Sequence, residues 1–270
     1  MSKVPIGGQI VYLTDFDAET DELEKTYGTT PLHSTGSTDL DDYFCGGYGR
    51  PNGYEIVVLF GATGIGKTTL ALNMVANPIL SGKKVGLLML EDDGADVNMK
   101  LRKILGKENL TKYAKNISFT PPDVVNGSKL WGLDDLLILI EKWYTQRKLD
   151  IVLLDPIQFA FESAVAARTE NEYIAQRIFV RKINYLMRKL NKTIILVSHV
   201  GKNTAAKGMD RIIGSSGIAA SATKTIEVKK DQGNMMVHFW KSRFTPTPDY
   251  DRAFTFDEEH RLGGPNGERL

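Results

Sequence analysis

The sequence predicts an α/β fold, a mainly parallel twisted sheet flanked by helices, with an antiparallel hairpin added towards the C-terminus. Three observations predict it. Between residues 55 and 198, apolar runs of strand length alternate with amphipathic stretches of helical period, as βαβ units do. The first of these runs leads directly into GATGIGKTT at 61–69 and then into a helical stretch. Beyond residue 220 the style changes to two strand-like segments flanking Asp231-Gln-Gly-Asn234.

Residues 55–60 (EIVVLF) read as a buried strand and 68–76 as the helix after the glycine-rich loop. Residues 84–90 form a second apolar strand, 98–105 a helix, and 117–120 a short strand ended by Pro121-Pro122. A long amphipathic helix over 133–147 precedes a third apolar strand at 150–155. The helix over 172–190 places Ile174, Ile178, Ile183, Leu186 and Leu190 on one side, and 193–198 is a fourth apolar strand. Residues 223–228 and 235–240 make the hairpin, and a further strand follows near 253–256. Residues 1–35 read as a peripheral arm, with an acidic segment at 15–24 (DFDAETDELE) that is either a short helix or a solvated stretch of chain; residues 36–270 form one domain.

Composition bounds the function. With 42% hydrophobic and 25% charged residues the chain is globular. Its 34 basic and 33 acidic residues give a net charge of +1, which argues against a wholesale electrostatic nucleic-acid binder while permitting a local basic patch. Cys45 is the single cysteine, so neither an internal disulfide nor a cysteine zinc site is expected. No run approaches the roughly 18 apolar residues of a membrane span. The N-terminus lacks the apolar core of a signal peptide, so a cytoplasmic protein is expected, with no membrane partner.

The loop at 61–69 fits the phosphate-binding pattern G-x-x-x-x-G-K-[ST]. Gly61, Gly64 and Gly66 let the backbone wrap an anion, and the amides of Ala62, Thr63, Ile65 and Thr69 are placed to join the positive helix end in holding phosphates. Lys67 suits the β- and γ-phosphates, and the Thr68 hydroxyl suits Mg²⁺. ATP with Mg²⁺ is the expected ligand.

Such a site needs an acidic residue at a neighbouring strand end to organise the metal, and Asp155 ends an apolar run. It also needs a group to orient or deprotonate water. Glu91 leaves the second strand directly, ahead of its competitors Asp92 and Asp93. His199, at the end of the fourth apolar strand, is placed to sense the γ-phosphate. The glycine-rich loop after it carries Lys202, Lys207 and Arg211, which suits a nucleic-acid backbone and equally a solvated loop. Lys241 and Arg243 alternate on a hairpin strand and therefore share a face; a nucleotide held by a neighbouring subunit would explain the pair.

Together, residues 61–69, Glu91, 151–155, Ser198-His199, 214–217 (GSSG) and 241–244 (KSRF) resemble the RecA-like motor of hexameric replicative DNA helicases. The likeness extends to the helicase half of phage primase-helicases, to the mitochondrial helicase Twinkle and to bacterial replicative helicases. It covers roughly residues 35–260. The resemblance implies a homohexameric ring with ATP at subunit interfaces, single-stranded DNA in the central channel and 5′ to 3′ translocation during DNA replication, with a primase or loader as a further partner. It implies that Glu91 activates water, His199 senses the γ-phosphate, Lys241 and Arg243 act in trans, and the loop with Lys202, Lys207 and Arg211 lines the channel. Two alternatives share the P-loop, Glu91 and Asp155: a recombinase that forms filaments, and a regulatory ATPase acting on a protein partner.

Overall fold

The computed structural model describes residues 21, 33–51, 53–120, 133–159, 172–200, 208–212, 216–243 and 245–263. The acidic segment at 15–24 (Asp21 apart), Lys202, Lys207 and residues 160–171 after the third apolar strand lie outside them.

The central element is β1 (Glu55–Gly61), buried at every position. Its apolar side chains leave both faces to be covered, as in parallel sheets roofed on two sides. It leads through the glycine-rich loop into α2 (Lys67–Leu80), preceded in the chain by the short α1 (Thr38–Tyr43). Then come β2 (Val85–Met89), α3 (Gly94–Leu105), α4 (Lys107–Lys112), β3 (Ile117–Thr120), α5 (Leu133–Thr145) and β4 (Ile151–Asp155). The helix α6 (Glu172–Leu190), β5 (Thr193–His199) and α7 (Ser216–Ser221) follow. The chain continues with β6 (Lys224–Asp231), β7 (Asn234–Ser242), β8 (Arg252–Phe256) and β9 (Leu262–Gly263).

The strands form one sheet in the order β3-β2-β4-β5-β1-β6-β7-β8-β9. Strands β3 to β6 in this order run parallel, and β7, β8 and β9 are added antiparallel. One face is covered by α1, α2 and α3 through residues such as Leu70, Met74 and Leu101, and the other by α5, α6 and α7 through Ile140, Phe179 and Ile218. The long helix α6 buries Phe179, Val180, Ile183, Leu186 and Met187, whereas Ile178, expected on the inner side, is 37% exposed. Ile183 and Leu186 thus face inward as expected, while Phe179 rather than Ile178 takes the inward position earlier in the helix.

His33 and Thr35 are buried, and His33 pairs with Tyr48 in an antiparallel bridge. Burial holds the His33 imidazole down at about 4, so it packs as a neutral ring. Tyr43 on α1 donates to Val237 O on β7 and sets its ring edge-on to Phe239, which ties the start of the domain to the antiparallel extension.

Candidate nucleotide site

The parallel strands all end at one edge, and the register fixes what meets there. On β1, Gly61 lies opposite His199 of β5, and Phe60 opposite Glu227 of β6. A Cβ at Gly61 would meet Val228 O at 2.2 Å, so only glycine lets the chain leave β1 beside β6. Gly66, with φ of 99°, caps α2 in the left-handed region and offers no side chain to the first helical amides. Those amides face the loop, the arrangement that binds anions.

Lys67 is 4% exposed and crosses the loop to donate to Ala62 O at 2.6 Å. Burial lowers its pKa, opposed by the charges of Asp155 and Glu91. The Lys67 Nζ also lies 3.4 Å from His199 Nδ1, and Thr63 Oγ1 lies 3.4 Å from the same nitrogen. An ammonium only donates, so Nδ1 accepts from it and the ring proton sits on Nε2. That nitrogen faces Glu91 Oε2 at 3.6 Å. The ring of His199 therefore stands between the loop lysine and Glu91. Glu91 itself lies two residues beyond β2 rather than at its last position; it is half exposed.

Asp155 ends β4 opposite Met89 of β2. It is 4% exposed, and its Oδ2 has no hydrogen-bond partner. Desolvation raises its pKa from 3.8 to about 6, against a lowering hydrogen bond from Thr68 and the charge of Lys67; Asp92 and Glu91 add to the rise. A buried, orphaned carboxylate oxygen beside the Thr68 hydroxyl fits Mg²⁺ brought in with a triphosphate. Among the described residues no group of three or more His, Cys, Asp or Glu gathers to hold a metal alone. That donor set suits a cation that keeps water and phosphate ligands.

Three contributors escaped the sequence reading. Gln158 bonds to both Ser198 and His199. Phe256 of β8 comes within 3.4 Å of where a Cβ on Gly66 would stand, and Asn73 of α2 pins the β8–β9 turn by donating to His260 O and accepting from Leu262 N. No local pattern in the sequence announces that the last strands fold back over the phosphate loop.

The other predicted cations lie elsewhere. Arg211 donates to the buried Glu227 at 2.7 Å; Glu227 also accepts from the Trp240 indole at 2.7 Å. Val200 and Ile212 form a bridge, so the two feet of the loop after β5 are joined. Lys241 and Arg243 both reach the C-terminal end of α7: Lys241 donates to Ala219 O and Ala220 O, and Arg243 to Ala220 O. On β7 they lie level with Thr225 and just past Lys224 of β6, beside the first half of β1. The backbone N–H of Arg243 donates to Thr223 O, whose own N–H donates to Ile56 O. Ile56 is five residues from Gly61, roughly 16 Å along the strand. The pair therefore sits at the opposite end of the sheet from its own phosphate loop.

The fold is of the RecA-like P-loop type. A family model described as AAA domain matches residues 50–205, more than half of the chain, and the chain belongs to that family. One solved ATPase domain is similar over 93% of this chain and 97% of its own, with TM-score 0.67 and 17% identity. The KaiC-like protein PH0186 from Pyrococcus horikoshii OT3 matches over 87% and 99%, with TM-score 0.66 and 18% identity. The RadB recombinase matches over 86% and 99%, with TM-score 0.65 and 20% identity. In sequence, 84 residues are 34% identical to the iron-sulfur cluster carrier protein of Methanocaldococcus jannaschii; the match covers 31% of this chain and 28% of that protein's length. Among the described residues no helix is long and apolar enough to cross a membrane.

Proposed function

We propose that the chain is an ATP-hydrolysing motor subunit that moves on single-stranded DNA as part of a replicative-type helicase ring. The observation that carries this reading is the position of His199. Its ring touches Lys67 and approaches Glu91, and its strand runs straight into the loop of Lys202, Lys207 and Arg211. A change at the γ-phosphate is thereby one residue away from the loop's foot.

In this reading the amides of residues 61–69 and Lys67 hold the phosphates, and Lys67 exchanges Ala62 O for phosphate oxygen. Thr68 and Asp155 would hold Mg²⁺, which neutralises phosphate charge when bound. Glu91, exposed enough to meet water, orients the attacking molecule and accepts its proton. His199 donates from Nε2, either to Glu91 or to the γ-phosphate, and so distinguishes triphosphate from diphosphate. Lys241 and Arg243 complete the site of an adjoining subunit, where positive charge stabilises the transition state. Their distance from their own phosphate loop supports action in trans. Partners follow as a homo-oligomer, single-stranded DNA, and a primase or loader.

The name of RadB keeps a recombinase as the second reading. ATP hydrolysis measured with and without single-stranded DNA, followed by strand separation on a forked duplex, tests the proposal. DNA-stimulated hydrolysis with unwinding is expected. Hydrolysis indifferent to DNA would overturn both DNA readings and leave the regulatory ATPase. Stimulation without unwinding but with strand exchange would favour the recombinase.

A further inference from the structure

The backbone ladder between β4 and β5 stops at Leu154 opposite Leu196, while β5 stays paired to β1 as far as Gly61 opposite His199. The last three residues of β5, Val197, Ser198 and His199, thus lie beyond that ladder on the β4 side. A side chain takes over there. Gln158, three residues beyond Asp155 and 7% exposed, donates from Nε2 to Ser198 Oγ at 2.7 Å and accepts the His199 N–H on Oε1 at 3.1 Å. The orientation of the amide is fixed, because a backbone N–H only donates and so must meet the oxygen. Ser198 Oγ in turn donates to His199 O at 3.2 Å. The peptide of His199 is held at both its N–H and its C=O in a closed set of hydrogen bonds that begins and ends on Gln158.

We infer that Gln158 is a positioning residue that acts through His199, locking the end of β5 to the segment that carries Asp155. Its bonds to Ser198 and His199 reach the end of β5 rather than the loop glycines or Lys67, so nucleotide affinity is expected to survive its loss. What depends on it is where the His199 ring stands between Lys67 and Glu91. Displacement of such a group by about 1 Å costs up to roughly 10²-fold in turnover. The inference rests on the hydrolytic part of the proposed function and not on DNA.

Gln158→Leu keeps the volume and removes both bonds. It is expected to lower kcat for ATP about 10- to 100-fold with KM and ADP affinity within about twofold. In a His199→Ala background the same change should lower kcat no further, whereas a packing role would multiply the two losses. Multiplied losses, or lost ADP affinity, would overturn the inference. Gln158→Glu retains an acceptor for the His199 N–H and can accept from Ser198; an intermediate kcat, again without effect in the His199→Ala background, is expected, and this variant carries the test if Gln158→Leu fails to fold. A second readout needs no hydrolysis. The His199 ring resonance should respond to a non-hydrolysable ATP analogue and not to ADP in the wild type. That difference should vanish in the Gln158 variants while the analogue still binds. A wild-type response retained in the variants would overturn the inference even if the protein proved not to hydrolyse ATP.

Discussion

The two ends of β1 are built on opposite electrostatic plans. At its C-terminal edge, Lys67, Asp155, Glu91 and His199 crowd together, a mixed set in which each charge sees an opposite one. At the far end, Lys241 and Arg243 meet only the carbonyls of α7, and among the described residues neither has an acidic partner. Desolvation, with the neighbouring charge of Arg243, brings Lys241 down to about 8. The first end is a nearly self-sufficient anion site with one unmet carboxylate oxygen. The second, among the described residues, is a pair of cations bonded to backbone carbonyls alone. In the proposed function these are two halves of one site, which a second copy of the chain would bring together.

The most disruptive way to break that comparison is at the cation end. Arg243→Ala should lower kcat by about 10³-fold while ATP affinity stays within about twofold, measured by steady-state hydrolysis beside titration of a fluorescent ADP analogue. Lost affinity would place Arg243 in its own site and contradict the comparison.

At the nucleotide end, Asp155→Asn sharpens it. The folded-state pKa of Asp155 is raised from 3.8 to about 6, so its contribution to stability is present below the unfolded value and lost as pH rises through about 6. At pH 8 the buried charge destabilises the nucleotide-free protein. Asp155→Asn should therefore raise its unfolding free energy by about 1–3 kcal/mol at pH 8, and the gain should shrink as pH falls from about 6 towards 3.8. Urea melts at the two pH values decide it.

Smaller effects separate structure from DNA contact along the loop after β5. Arg211→Ala leaves the carboxylate of Glu227 without its shortest ion pair and should cost about 1–3 kcal/mol in stability. Lys207→Ala should leave stability unchanged and reduce the salt dependence of DNA binding by about one counterion. An unchanged salt slope would contradict the proposed contact of Lys207 with DNA.

The parallel half of the fold was legible because its strands carry their signal locally. The edges of β3, β5 and α6 follow the apolar runs to within a residue, and the phosphate loop sits where strand gives way to helix. The strand-end positions of Asp155 and His199 were legible for the same reason, as polar residues closing apolar strands. Gln158 was not, because its role depends on where the β4–β5 ladder ends, a property of register between distant segments. Arg211 read as a free loop cation because its partner Glu227 lies 16 residues on, inside a strand whose neighbours bury it. The return of β8 and β9 over α2 depends on Asn73, an unremarkable helix position until His260 and Leu262 arrive beside it.

The claim that one chain holds two halves of a shared site is tested most directly by mixing them. Lys67→Ala, which cannot hold phosphate, and Arg243→Ala, which cannot complete a neighbour, are each expected to be inactive in DNA-stimulated ATP hydrolysis. Co-expressed in equal amounts, they leave roughly one interface in four with both an intact loop and an intact partner arginine. Recovery of hydrolysis in the mixed assembly is the predicted result. A mixed assembly that forms but stays as inactive as its parents would contradict the account.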